Sequence, residues 1–114
     1  MSLVTEEERA QLLNNGAAAA NGERRDALPV VRLFTPDFRA VWLLTELDPT
    51  NPDIAFGLCD LGLGTPELGS VSLSEIASVR GKFGLPVERD LHFNADRSLS
   101  RYADDARKAG IIIA

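Results

Sequence analysis

The chain has 114 residues, enough for one domain around a single core. Hydrophobic residues make up 45% and charged residues 25%, which excludes disorder of the whole chain, and a formal net charge of −5 argues against broad electrostatic binding to DNA, RNA or anionic lipid. The single cysteine, Cys59, excludes an intramolecular disulfide.

The N-terminal residues, from Met1 and Ser2 to Glu8, lack a basic segment followed by an apolar run, and no apolar stretch reaches the length of a membrane span. The expectation is a soluble, cytoplasmic protein. Thr5 and Glu8 have the spacing of a capping box, with Glu6, Glu7 and Glu8 where the helix dipole favours acid. Leu12 and Leu13 give that helix a modest apolar face, and Gly16 reads as its stop. The alanines after it favour helix and Asn21-Gly22 breaks it, so residues 17–26 read as a short helical extension into a mobile linker.

Residues 29–35, 39–47, 54–61, 67–71 and 87–93 read as strands, joined by the turn signals Pro36-Asp37, residues 48–53, and Gly62, Gly64 and Pro66. Ser72 and Glu75 form a second capping box opening a short helix that ends before Gly81. Ser98 is expected to cap a last helix with a buried stripe of Leu99, Tyr102, Ala103 and Ala106. Gly110 suits the left-handed position that ends it, with Ile111 packing back on the last turn. Short connections imply antiparallel pairing. The fold class is therefore α+β: an antiparallel sheet of about five strands, with N-terminal, middle and C-terminal helices packed on it and covering one face. The parts are residues 1–27 (helix and linker), 28–107 (core) and 108–114 (tail).

Acids at turns and strand ends are the most frequent polar feature: Asp37, Glu46, Asp48, Asp60, Glu67, Glu88 and Asp90. Convergence of two or three would permit metal binding or acid–base work, whereas turn aspartates usually bind their own backbone amides, which is the reading adopted. In a hairpin, Glu46 falls near Ile54 and Ala55, and Asp60 falls at the far end beside Val41 or Trp42, so the two share no site. Strand alternation puts Trp42 on a face with Leu44 and Glu46, opposite Val41, Leu43, Thr45 and Leu47. A helix covering Trp42 as a second core layer is the simpler account; the alternative leaves Trp42 and Glu46 beside an open groove. His92 alternates with Leu91 and Phe93 and has no assignable nucleophile. Cys59 reads as a buried thiol, and one histidine with one cysteine makes no zinc site. Residues 80–86 lack the Gly-Lys-Ser/Thr ending of a phosphate loop and read as a turn. Arg80, Lys82 and Arg89 could form a small basic patch, although Glu88 and Asp90 flank Arg89 and favour surface pairing.

The order of Thr45-Glu46-Leu47-Asp48, Phe56-Gly57-Leu58-Cys59-Asp60 and Pro86-Val87-Glu88-Arg89-Asp90-Leu91-His92-Phe93 resembles the domain of unknown function family 2958 (DUF2958) over roughly residues 28–107. The resemblance implies a small bacterial or phage-borne protein, often carried on plasmids and conjugative elements. It implies an accessory or counter-defence role and supplies no catalytic residue.

The expectation is a non-enzymatic binding or adaptor module with a protein partner, no cofactor and no metal. Its binding surface would draw on Trp42, Glu46, Asp60, Arg89 and His92. Two alternatives are a metal-dependent hydrolase or nuclease using Glu46, Asp48 and Glu88 or Asp90, and an acidic DNA mimic carrying a contiguous acidic stripe.

Overall fold

A computed structural model describes residues 3–23 and 25–114; the sequence expectations at Met1, Ser2 and Arg24 lie outside the described residues. The elements in chain order are α1 (Glu6–Ala20), β1 (Val31–Phe34), β2 (Val41–Asp48), β3 (Asn51–Asp60), β4 (Glu67–Ser72), α2 (Leu73–Ser78), β5 (Glu88–Arg89) and α3 (Leu99–Ala109). The strands form one antiparallel sheet in the order β4-β3-β2-β1-β5. This is the α+β architecture expected from the sequence.

The helices cover both faces of the sheet rather than one. Leu12 of α1 and Ile76 of α2 pack with Val31, Leu33, Trp42, Leu44, Leu47 and Ala55. On the other face Leu43 and Leu58 pack with Leu99, Tyr102, Ala103 and Ala106 of α3. Trp42 and Leu43 are neighbours on one strand and so belong to opposite layers. The unbroken apolar run Val41-Trp42-Leu43-Leu44 is what a strand buried on both sides requires.

The register of β2 changes partway along. Leu44 pairs with Gly57 and Glu46 with Phe56, leaving Thr45 as an extra residue in a β-bulge. Thr45 is held there on two sides: its Oγ1 donates to the Phe56 carbonyl at 3.3 Å, and its own carbonyl accepts from Asn15 Nδ2 on α1 at 2.8 Å. The extra residue puts Leu47, not Glu46, on the face of Trp42 and Leu44. Asp48 pairs with Asn51, so Pro49 and Thr50 alone make the hairpin turn, and Pro52 and Asp53, read from the sequence as turn, belong to β3.

The Thr5–Glu8 capping box forms with both of its bonds. Gly16 does not stop α1; the helix runs on to Ala20. Gly16 is where α1 crosses β2, and a Cβ there would overlap the carbonyl oxygen of Leu47. Of the second capping box, the Ser72 half forms, its side chain accepting from Glu75 N at 3.2 Å. Asp53 adds to it by accepting from Ser74 N at 3.0 Å. Ser98 stands at the N-cap of α3 but makes no side-chain cap bond. Asp26 takes that role, accepting the Ser100 amide at 3.1 Å and the Ser100 hydroxyl. The Leu99 amide donates to Ala27 O at 2.9 Å. The segment read as a mobile linker is thereby fastened to α3. Gly110 adopts the left-handed conformation at φ 77°, and Ile112 rather than Ile111 packs back into the core.

Candidate functional site

The residues singled out by the sequence do not meet in one place. Trp42 is 3% exposed and lies in the layer beneath α1 and α2, opposite Leu33 and Cys59. Because the bulge turns Glu46 to the other face, the open Trp42–Glu46 groove does not exist. Asp60 is 2% exposed and pairs across from Val41. One of its oxygens accepts the Gly62 amide at 2.8 Å and the other accepts the Ile112 amide at 3.1 Å, so it ties the C-terminal tail to the end of β3. Arg89 pairs with Glu8 at 3.4 Å and links β5 to α1; its sequence neighbours Glu88 and Asp90 are not its partners. The fifth strand is only Glu88–Arg89. A turn follows it, with the Asp90 amide on Arg32 O and the His92 amide on Asp90 Oδ1, and His92 sits exposed on that turn.

Most acids are consumed by local geometry. Asp48, Asp60 and Asp90 each accept the backbone amide two residues on, at 2.9, 2.8 and 2.9 Å. Hydroxyl donors hold three carboxyls below their ordinary range: Thr50 for Asp48, Ser72 for Asp53 and Ser100 for Asp26. Glu46 and Asp48 stand at the hairpin end of β2, while Glu88 pairs with Phe34 at the other end of the sheet and Asp90 is held by Arg32 of β1, so neither form of the triad required for a metal hydrolase assembles. Among the described residues no group of three or more His, Cys, Asp or Glu could hold a metal ion. Burial pushes the Cys59 thiol up to about 11, against nucleophilic use near neutral pH. Uncompensated acid, which a DNA mimic needs, is broken up by arginines: Arg32 on Asp90, Arg89 on Glu8, Arg97 on Asp96 and Asp105, and Arg107 on Asp104.

Two surface features among the described residues bear on function. The first is a cleft of about 170 Å³ at the hairpin end, between α1, Glu23, residues 25–27 and the start of α3. Glu46 lies in it beside Phe56, Leu68 and Leu99, and burial, then the charge of Asp48, raises its carboxyl above the ordinary value of 4.5.

The second feature is the opposite end of the sheet. Phe34, Val41 and Asp60 align across three strands there, so the turn after β1 and the loop after β3 emerge side by side. A Cβ on Gly62 would lie 3.2 Å from the Phe38 ring, which fixes that contact. The loop before β5 joins them through Asp37, whose Oδ2 accepts the amides of Phe83 at 2.6 Å and Leu85 at 3.3 Å. The tail joins through Asp60 and Ile112. This end carries Phe38, Leu61, Leu63, Phe83, Leu85 and Ile111, all exposed, with Leu63 at 75% and Phe83 at 78%. From the sequence, Leu63, Phe83 and Leu85 read as turn residues, Leu61 as the end of a strand and Ile111 as packing on the last helix, and Phe38 has no assigned role. The available signal was Gly62-Leu63-Gly64 and Phe83-Gly84, in which a large apolar side chain beside turn glycines has no strand or helix to carry it into a core.

No helix among the described residues is long and apolar enough to cross a membrane. One protein-family model, described as protein of unknown function (DUF2958), matches residues 3–113. No curated protein and no solved structure matches the chain.

Proposed function

The chain belongs to the DUF2958 family, a family of unknown function, and from that premise we propose that it is a protein-binding accessory module whose contact surface is the apolar loop end. One observation carries this reading: six large apolar side chains from three loops and the tail are exposed at the same end of the sheet. Single exposed apolar residues are ordinary, whereas a cluster of them marks an interaction site. The loops are fastened rather than loose, by Asp37 to Phe83 and Leu85 and by Asp60 to Ile112, so the surface is presented in one arrangement. Preorganisation of this kind lowers the cost of binding. Work in the cytoplasm and service to mobile genetic elements belong to the same proposal.

The test places a photoreactive amino acid at Phe83 and, as a control, at the exposed Arg101 on α3. Irradiation in lysate of the natural host is expected to give a discrete adduct from position 83 alone, weakened by Phe38→Ser. Equal adducts from both positions, or none from position 83, would overturn the reading.

A further inference from the structure

The loop end differs from the rest of the molecule in the sign of its charge as well as in its hydrophobicity. Residues 35–40, 61–66 and 80–86 contain four charged side chains: Asp37, Arg39, Arg80 and Lys82. The one acid is withdrawn, since Asp37 is bound by the amides of Phe83 and Leu85. The three cations are exposed. Arg39 lies against Gly62. Lys82 Nζ stands 5.8 Å from the centre of the Phe83 ring. Arg80 spends one nitrogen on the carbonyls of Ala77 and Val79, each at 2.9 Å, which holds its guanidinium at the end of α2 where the loop begins. Glu67 and Glu88 begin β4 and β5 and stand behind the loops in the ladder, opposite Cys59 and Phe34. On a chain of net charge −5, loops whose exposed charges are all positive, with Glu67 and Glu88 in the rungs behind them, are a local inversion of sign.

We infer that the loop end docks an acidic, apolar segment of a partner protein: aromatic or aliphatic side chains against Phe38, Leu63 and Phe83, carboxylates against Arg39, Arg80 and Lys82. This rests on the reading of that end as a contact surface. Complementary charge selects partners and steers encounter. A second copy of the same end would set three cations against three cations, so self-docking through this surface is opposed. An anionic membrane is disfavoured by number, since basic clusters that hold lipid surfaces carry about four to eight Lys or Arg. The loops contain three.

The experiment pans a random library of 16-residue peptides on the immobilised full chain. Two variants run in parallel, Phe38→Ser/Phe83→Ser and Arg39→Glu/Lys82→Glu, both confined to exposed side chains and checked for an unchanged melting temperature. Peptides rich in Asp, Glu and large apolar residues are expected, with at least tenfold weaker binding to either variant. Neutral or basic peptides, or acidic ones that bind Arg39→Glu/Lys82→Glu as well as the parent, would overturn the acidic partner while leaving the contact surface standing. Recovery that is indifferent to Phe38→Ser/Phe83→Ser would overturn the surface itself. Vesicles of phosphatidylcholine with phosphatidylserine are expected to leave the protein in the supernatant. Sedimentation abolished by Phe83→Ser would replace the protein partner with a membrane.

Discussion

The carboxylate of Asp37 lies where the first side-chain atom of any residue but glycine at position 81 would have to stand. Gly81 is therefore needed for closeness to Asp37, and the pair decides how residues 81–85 are presented. Asp37→Ala removes the acceptor of the Phe83 and Leu85 amides. Hydrogen bonds to a charged group are worth about 1.5–3 kcal/mol when well formed. Here the loop is exposed, and the buried Asp37 Oδ1 has no partner, which offsets part of that gain. The expected cost is about 1 kcal/mol by urea denaturation, with faster amide exchange at Phe83 and Leu85. Gly81→Ala is expected to give the same exchange pattern; unchanged exchange in both variants would show that Asp37 does not hold the loop.

Gly16→Ala separates helix propensity from packing. Propensity alone favours alanine by about 1 kcal/mol in a helix interior. The added Cβ would overlap the backbone oxygen of Leu47, and backbone in a central strand cannot swing aside as a side chain can. Overpacking costs of about 1–3 kcal/mol should win. Gly16→Ala is expected to lower the melting temperature by several degrees. Gly69→Ala, whose Cβ would meet nothing within 4 Å, should be neutral or slightly stabilising. A stabilised Gly16→Ala variant would mean that α1 does not cross β2 at this point.

Asp60 is buried and its two oxygens face two backbone donors, Gly62 and Ile112. Asp60→Asn keeps the size but sets an NH2 group against one of those N–H donors. The expected loss is about 2–3 kcal/mol, from a broken charge-assisted bond and an unsatisfied buried amide. The Ile112 amide should lose its exchange protection first. Protection retained at Ile112 in a destabilised variant would show that the tail is held by packing of the Ile112 side chain instead.

Much of this arrangement was open to sequence reasoning, because it follows from local rules. The Thr5–Glu8 box, the α3 stripe of Leu99, Tyr102, Ala103 and Ala106, and the left-handed Gly110 each depend on residues within a turn or two of one another. What escaped depends on residues far apart in the chain. The bulge at Thr45 is set by Asn15 and Phe56, and strict alternation without it puts Glu46 on the wrong face. Asp26 caps a helix more than seventy residues away, in place of the adjacent Ser98. Gly16 carries the same letter whether it ends a helix or admits a strand, and the choice is made by Leu47. The candidate surface was hidden for a related reason: Phe38, Leu63 and Phe83 come together only after the strands have paired.

Glu46 should make the fold more stable in acid than near neutrality, through one group. Its carboxyl is raised by burial and then by Asp48, so the folded protein holds this proton more tightly than the unfolded chain. The corresponding stability is fully present below the unfolded value near 4.5 and is lost as pH rises through the folded value. Glu46→Gln, neutral at every pH, should therefore raise the melting temperature at pH 7 and lose that advantage at pH 4. A variant advantage that persists at pH 4 would assign the effect to contacts of the amide instead of charge.

Glu8 has two jobs of different worth. Its Oε1 accepts the Thr5 amide at 2.8 Å in the capping box, and its Oε2 receives Arg89 at 3.4 Å. The ion pair is partly exposed, with side chains 20% and 28% accessible. Pairs of that kind contribute up to about 1 kcal/mol and weaken with salt. Loss of a cap costs about 1 kcal/mol and is less sensitive to salt. Glu8→Ala should therefore cost more than Arg89→Ala, and Glu8→Gln, which keeps an acceptor for Thr5, should fall between them. In a double-mutant cycle the Glu8–Arg89 coupling should shrink in 1 M salt while the remaining cost of Glu8→Ala stays. A coupling that survives high salt would indicate that Arg89 stabilises α1 through packing of its aliphatic stem, and would shift the link between β5 and α1 from charge to burial.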